Sequence, residues 1–406
     1  MPTEIVRLRG YDGPNLYGPQ TSVVLQVRSE KDLSKRIKNI LKDGAQNIGM
    51  IIGYLDVETE QQNEDFLITA HYVTPTPSIG VELARYVVDG MNAKEVGDEE
   101  WDPEEPLWDL KQRLRAETLP IQALQLCAEA NTRNIPSFVR ADGRLQIGYG
   151  VRGKQFDIAS FKERLSSGSF SVDDIGLGAP PSARSAAAVD VPWQQLGLVP
   201  LVAVSGDRSR DQTARFIAGL LQSQGYAVAL TESADFAATH AALGEPHAAL
   251  VVAGLAVEDL IVRGVAFERC SYSAIVDVPE KLPAEIRSFE ELTQVLGIPM
   301  LVTNAEGRVV LNADVPEIVA LAEYAPCPVI YFTTRETNTI VGIHRAHGGE
   351  ALFVRDQTVF ATHGASEQPV ARASLPDVEL PGALASIALS WAMGFSWDQI
   401  LAMMEN

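Results

Sequence analysis

From residue 198 onward, short apolar runs alternate with stretches whose apolar residues recur every three to four positions. The runs predict strands at 198–204, 227–231, 248–253, 274–278, 300–304, 309–312, 329–333, 351–355 and 358–361. The periodic stretches predict helices at 211–224, 234–242, 257–261, 290–296, 315–322 and 382–393. Strands that are apolar on both faces and separated by helices imply a doubly wound, mostly parallel α/β sheet. The last two strands, 351–361, add a hairpin, and no internal repeat is visible.

The first half is patterned differently. Residues 1–28 read as strand, glycine-rich turn, strand, and Leu33, Ile37, Ile40 and Leu41 share one face of a helix over 32–41. A strand is predicted at 44–55, a polar loop at 58–64, a second strand at 65–73 and a stiff proline turn at 74–77. Val81, Ala84, Tyr86 and Val88 mark a helix over 81–91. Residues 98–106 are acidic and read as a solvated loop around Trp101. A long helix is predicted at 110–131, with Pro120 placed to kink it or to start a second segment. A hairpin is predicted from 137–140 and 145–149 around Asp142-Gly143. Residues 151–195 turn rich in Ser, Gly, Ala and Pro and read as a flexible linker. The chain thus divides into an α+β domain over 1–155, a linker over 156–195 and the doubly wound domain over 196–406.

Between the first strand of the second half and its helix lies SGDRSRDQ, residues 205–212. Strand, tight turn, helix is the setting of a phosphate-binding loop, which needs glycines, a lysine and a metal-binding hydroxyl. Gly206 is present. Ser209 stands at the second glycine, Arg210 at the lysine and Asp211 at the hydroxyl. Asp211 puts negative charge at a helix start, where it suits the helix and repels a phosphate.

Composition narrows the classes. The 406 residues carry 46% hydrophobic and 21% charged side chains, as expected of a globular protein with a real core. The net charge of −20 argues against nucleic-acid and anionic-membrane partners and suits a basic peptide or polymer. No run reaches the length of a membrane span, and no basic-then-apolar leader opens the sequence. Three scattered cysteines, Cys127, Cys270 and Cys327, read as reduced, and the expected location is the cytoplasm.

These motifs resemble a family. The second half is similar to the central domain of Mur ligases, most closely that of cyanophycin synthetases. Residues 206–212 occupy the place of the G-T-N-G-K-T-T loop. VAFERC (265–270) resembles a stretch ending F-D-R-C, and LNAD (311–314) resembles L-N-A-D-D-P. Tyr331-Phe332-Thr333 matches the next strand end, and 382–400 matches the helix N-A-L-A-A-x-L-A. In the first half, RGYDGPNL (9–16) resembles R-G-P-N, and 134–150 resembles G-I-P-x-x-R-L ending Q-L-G-Y-G. The resemblance implies a Mur-type, P-loop-like topology for 196–406, with the linker standing where the synthetases carry an ATP-grasp domain and with their last Mur domain missing.

The resemblance also shows what has changed. The magnesium segment E-T-A-R-G-G falls on 254–259, so its glutamate becomes Gly254; Glu258 and Asp259 read as first-turn helix residues. N-V-A-D-D-H falls on 277–282, where the histidine is Leu282. Asn312 and Asp314 match residues at the adenosine end of the nucleotide, or else form a turn and cap. An H-x-x-E-H metallohydrolase helix would fall on 78–90, which has only Glu82; His71 precedes it on a strand. His344 and His347 form the one other near pair, without a third ligand in view. No cysteine has a histidine partner by spacing.

Intact framework motifs beside three altered nucleotide segments imply a non-catalytic relative acting as a binding, scaffold or accessory subunit. It is expected to use no cofactor, to form homo-oligomers, and to assemble with an active ligase or other enzyme. Two alternatives stand beside it. One is an ATP- and Mg²⁺-dependent amide ligase of the Mur type with an altered loop. The other is a nucleotide or metabolite sensor using the old adenosine pocket at Asn312 and Asp314; a remnant nucleotide site as a whole would comprise Gly206, Arg210, Asn312 and Asp314.

Overall fold

The structure, a computed structural model, describes residues 2–159, 191–372 and 379–404. Residues 160–190 of the predicted linker lie outside the described residues; its first part is not linker, since Lys154–Asp157 form a strand whose Phe156 is buried.

The first half is built on a four-stranded antiparallel sheet. Its strands are β1 (Glu4–Tyr11), β2 (Ser22–Ser29), β3 (Tyr54–Gln62) and β4 (Asp65–Val73), in the order β1-β2-β4-β3. Alternate residues Val23, Leu25, Val27, Ile68, Ala70 and Tyr72 face the helices Ser34–Ile48 and Pro77–Val96 and are fully or nearly fully buried. Two predictions fail here. Residues 44–48 continue the first helix, because Gly44 lets it approach Leu83; an added Cβ would come within 2.8 Å of the Leu83 side chain. Gly49, in the left-handed conformation, ends that helix. The predicted polar loop 58–64 is instead mostly the far part of β3, an edge strand with no buried residue that is exposed on both faces from Glu58 to Gln61. The turn is confined to Asn63-Glu64, where Asn63 has φ +58°.

Pro120 does divide the predicted long helix, giving Glu104–Glu117 and Ile121–Thr132. Helix begins at Glu104, inside the predicted loop 98–106, and Trp101 packs on Tyr86 and Gly90 rather than facing solvent alone. A small antiparallel sheet follows: β5 (Ser137–Val139), β6 (Arg144–Ile147) and β7 (Lys154–Asp157). Leu145, Ile147 and Phe156 form a separate core with Leu196, and Val191 and Trp193 pack against it.

The second half is a nine-stranded sheet. β8 (Leu201–Gly206), β9 (Val228–Leu230), β10 (Leu250–Ala256), β11 (Cys270–Ile275), β12 (Thr303–Asn312), β13 (Val329–Thr333) and β14 (Glu350–Arg355) are parallel, in the order β9-β10-β8-β11-β12-β13-β14. β15 (Thr358–His363) and β16 (Ser366–Arg372) extend the β14 edge antiparallel. Both faces are covered, one by Leu292, Leu296 and Ile318, the other by Ile217, Leu221, Leu384 and Ala388. The predicted α/β class and mostly parallel sheet are therefore present. The predicted strands 300–304 and 309–312 are one strand, preceded by the short helix Ile298–Leu301. The polar NAEGR stretch conceals this, because Gly307 lies against the Ser271 carbonyl where the β11–β12 register shifts.

The turn between β1 and β2 docks on the second half. Asp12 N–H donates to the Arg263 carbonyl at 3.1 Å, and Val265 N–H donates to the Pro14 carbonyl at 2.9 Å. Arg263 pairs with Asp12 at 2.8 Å, and Arg7 pairs with Glu291 at 2.8 Å.

Candidate functional site

The carboxyl ends of the parallel strands meet a topological switch point between β8 and β11. The chain leaves these two neighbours in opposite directions, toward β9 and toward β12, and ligands of such sheets bind at this reversal. Gly206 ends β8 with φ +152°, and a Cβ there would lie 2.5 Å from Oδ1 of Asp277. Asp277 follows β11, and its carboxylate straddles the loop. Oδ1 accepts a hydrogen bond from the Asp207 amide at 2.6 Å, and Oδ2 accepts one from the Ser209 amide at 3.0 Å. The backbone donors that would cradle a phosphate are thus held by the protein's own anion. Burial, and then the Asp277 charge, push the Asp207 carboxyl above its ordinary range.

Arg210 opens the helix Arg210–Ser223, with its side chain only 14% exposed. Its Nε donates to Asp211 Oδ1 at 2.8 Å, and one terminal nitrogen donates to the Gly206 carbonyl at 3.3 Å. The hydrogen bond from Arg210 lowers the Asp211 pKa. The cation that would meet a phosphate is folded back on its neighbours. Gly254, on β10, faces Arg210 and Asp211 and has no side chain to offer a metal. Asp259 lies in the first turn of the helix Val257–Arg263, as expected. At this loop the Asp207 and Ser209 amides are occupied by the Asp277 carboxylate, and Gly254 offers no ligand, so the residues present do not fit a magnesium triphosphate.

Asn312 and Asp314 lie further along the same rim. Asn312 Nδ2 donates to the Val276 carbonyl at 2.8 Å, and its Oδ1 accepts from the Asp314 amide at 2.9 Å. Asp314 accepts from the Thr333 hydroxyl, the Thr334 amide and hydroxyl, and the Arg335 guanidinium, at 2.5 to 3.2 Å. Burial alone would raise its pKa, but those donors from Thr333, Thr334 and Arg335 hold it below the ordinary carboxylate range. Asn338 donates to the Ala313 carbonyl at 2.8 Å and caps the helix Thr339–Ala346. Both residues therefore tie strand ends together. The structure brings Gly206 and Arg210 into one loop and places Asn312 beside Val276, next to Asp277.

A family model described as "Domain of unknown function (DUF4938)" matches residues 2–167 and 171–332. The chain belongs to the DUF4938 family. It is also similar to cyanophycin synthetases. That of Crocosphaera subtropica is 24% identical over 227 residues, 50% of this chain and 26% of the synthetase. That of Geminocystis herdmanii is 26% identical over 170 residues, 38% of this chain and 20% of the synthetase. The chain spans about a quarter or less of the length of these relatives. Among solved structures, MurF from Acinetobacter baumannii aligns with TM-score 0.39 and 13% identity, over 51% of this chain and 46% of that one. A UDP-N-acetylmuramate:L-alanyl-gamma-D-glutamyl-meso-diaminopimelate ligase from Neisseria meningitides aligns with TM-score 0.36 and 12% identity, over 52% and 71%.

The remaining candidates in this DUF4938 chain are dispersed. His344 packs edge-on against Tyr331, with ring centroids 4.8 Å apart, while His347 Nδ1 meets the Ile343 carbonyl at 2.9 Å. Among the described residues, no three His, Cys, Asp or Glu side chains are grouped to hold a metal. The cysteines are free, and burial raises all three thiols, Cys270 to about 12, which suits packing rather than nucleophilic attack. No helix among the described residues is long and apolar enough to cross a membrane. Sequence reasoning missed Asp277 itself. The available signal was an acid near the end of a predicted strand, at the start of a segment already matched to nucleotide handling.

Proposed function

We propose that this chain is a relative of cyanophycin synthetases that neither binds nor hydrolyses ATP and serves as a binding or accessory subunit. The observation that carries the proposal is the Asp277 carboxylate on the amides of Asp207 and Ser209. Arg210 turned back on Asp211 and Gly206 supports it, as does Gly254 at the metal position. The acidic balance favours a basic peptide or polymer as partner, and self-association or assembly with an active enzyme completes the proposed role. The test is calorimetry of the full chain with magnesium ATP, paired with an assay for ADP release in the presence of amino acids. No binding heat and no ADP above a heat-killed control are expected. Stoichiometric, magnesium-dependent binding abolished by Arg210→Ala would overturn the proposal in favour of a ligase with an altered loop.

A further inference from the structure

A cavity of about 540 Å³ lies at the edge of the first sheet, away from the β8 loop. Its floor is the face of β3 and β4 opposite the helices. The register sets Tyr54 against Val73, Asp56 against His71 and Glu58 against Thr69, so the two carboxylates and two rings share that face. The loop after β1 supplies the wall: Tyr17 stacks on His71 with centroids 5.3 Å apart, and Gln20 stands beside it. Tyr54 lies 6.2 Å from His71 on the other side. No lysine or arginine lines this cavity. Burial outweighs the pull of Asp56 and lowers the His71 pKa, which disfavours the charged ring. His71 Nε2 is buried without a hydrogen-bond partner among the described residues.

Aromatic faces beside uncompensated carboxylates attract a cation that carries its own apolar stem. We propose that this cavity binds a small organic cation, a guanidinium or primary ammonium group. The head sits between Asp56 and Glu58, and the stem lies along Tyr17 and Tyr54. Neither the sheet's packing nor the junction with the second half requires these acids, since they face the open side.

Ligand-detected NMR titration of the full chain tests the assignment, with butylammonium and butylguanidinium as cationic probes and butylurea as the neutral isostere. Saturable binding of a cation is expected, with butylurea at least about tenfold weaker. The double variant Asp56→Asn/Glu58→Gln is expected to weaken the cation by about fivefold to tenfold while melting normally. Glu99→Gln/Glu100→Gln makes the same change in net charge on exposed residues elsewhere and is expected to leave binding intact. Equal binding of butylurea, or equal loss in both double variants, would overturn the proposal. So would the absence of saturable binding by either cation.

Discussion

Replacing Asp277 with alanine is the sharpest perturbation of the closed loop. The carboxylate makes two charge-assisted hydrogen bonds, to the amides of Asp207 and Ser209. Each such bond is worth about 1.5–3 kcal/mol, and water can reach part of the emptied loop. We therefore expect a loss of about 2–4 kcal/mol, or roughly 5–15 °C in Tm for a domain of this size. The freed amides then become an anion site, because Asp207 and Asp211 remain balanced by Arg208 and Arg210. Sulfate at ten times its Kd would return about 1.4 kcal/mol. The assay is thermal melting of wild type, Asp277→Ala and Asp277→Asn with sodium sulfate, against sodium chloride of equal ionic strength. Sulfate stabilises proteins in general, so the wild-type shift is the baseline. Asp277→Ala should gain several degrees more than that baseline. Asp277→Asn, which keeps one acceptor and loses the charge, should fall between. Equal sulfate shifts in all three proteins, or an alanine variant that melts like wild type, would refute the reasoning.

Two further outcomes follow from groups at the junction of the halves. His240 is held to about 4 by burial, and then by the cations Arg263 and Arg140. Its folded pKa lies below the unfolded value of about 6.5, so the unfolded chain binds the extra proton and stability rises with pH between these values. Lowering the pH from 7.5 to 4.5 should cost about 2.5 kcal/mol through this residue; urea titrations across that range should show a shallower slope for His240→Gln. Gly13→Ala would drive a methyl group into the Val265 carbonyl, at the strand turn that seats the halves together. A loss of about 1–3 kcal/mol is expected, read by thermal melting, with faster proteolysis near 12–15 as a second readout.

The second half was more legible than the first, for a physical reason. Strands buried on both faces, such as Val202, Ala203 and Val204, are uninterrupted apolar runs with little ambiguity. The edge strand β3 buries no residue, and its YLDVETEQQ pattern is polar enough to pass for a loop. The helix through Gly44 was hidden because its fit depends on Leu83, a residue 39 positions away that no local pattern shows. β16 and the helices Thr339–Ala346 and Trp397–Met404 were missed for similar reasons; β16 reads SEQPVAR, with one buried side chain. At the site, residue types were legible and partners were not. An acid at 211 was visible in the sequence, but that the neighbouring strand sends Asp277 across the loop requires β8 and β11 to be adjacent.

The rim of the sheet has one property that the separate substitutions do not reveal singly. A nucleotide-binding crevice keeps backbone amides and a cation uncommitted until the ligand arrives. Here the Asp207 and Ser209 amides already have Asp277 as partner and Arg210 has Asp211, while along the same rim Asp314 is ringed by hydroxyls, an amide and a guanidinium. Asn312 joins this set to β11 through the Val276 carbonyl, one residue before Asp277. Because the amides and Arg210 have separate partners, changing position 210 or 211 alone leaves the Asp207 and Ser209 amides with Asp277. A lysine at 210 would still face Asp211, and a threonine at 211 would still leave the amides with Asp277. Phosphate binding is therefore expected only in variants that change position 277, with substitutions at 210 and 211 acting on that background.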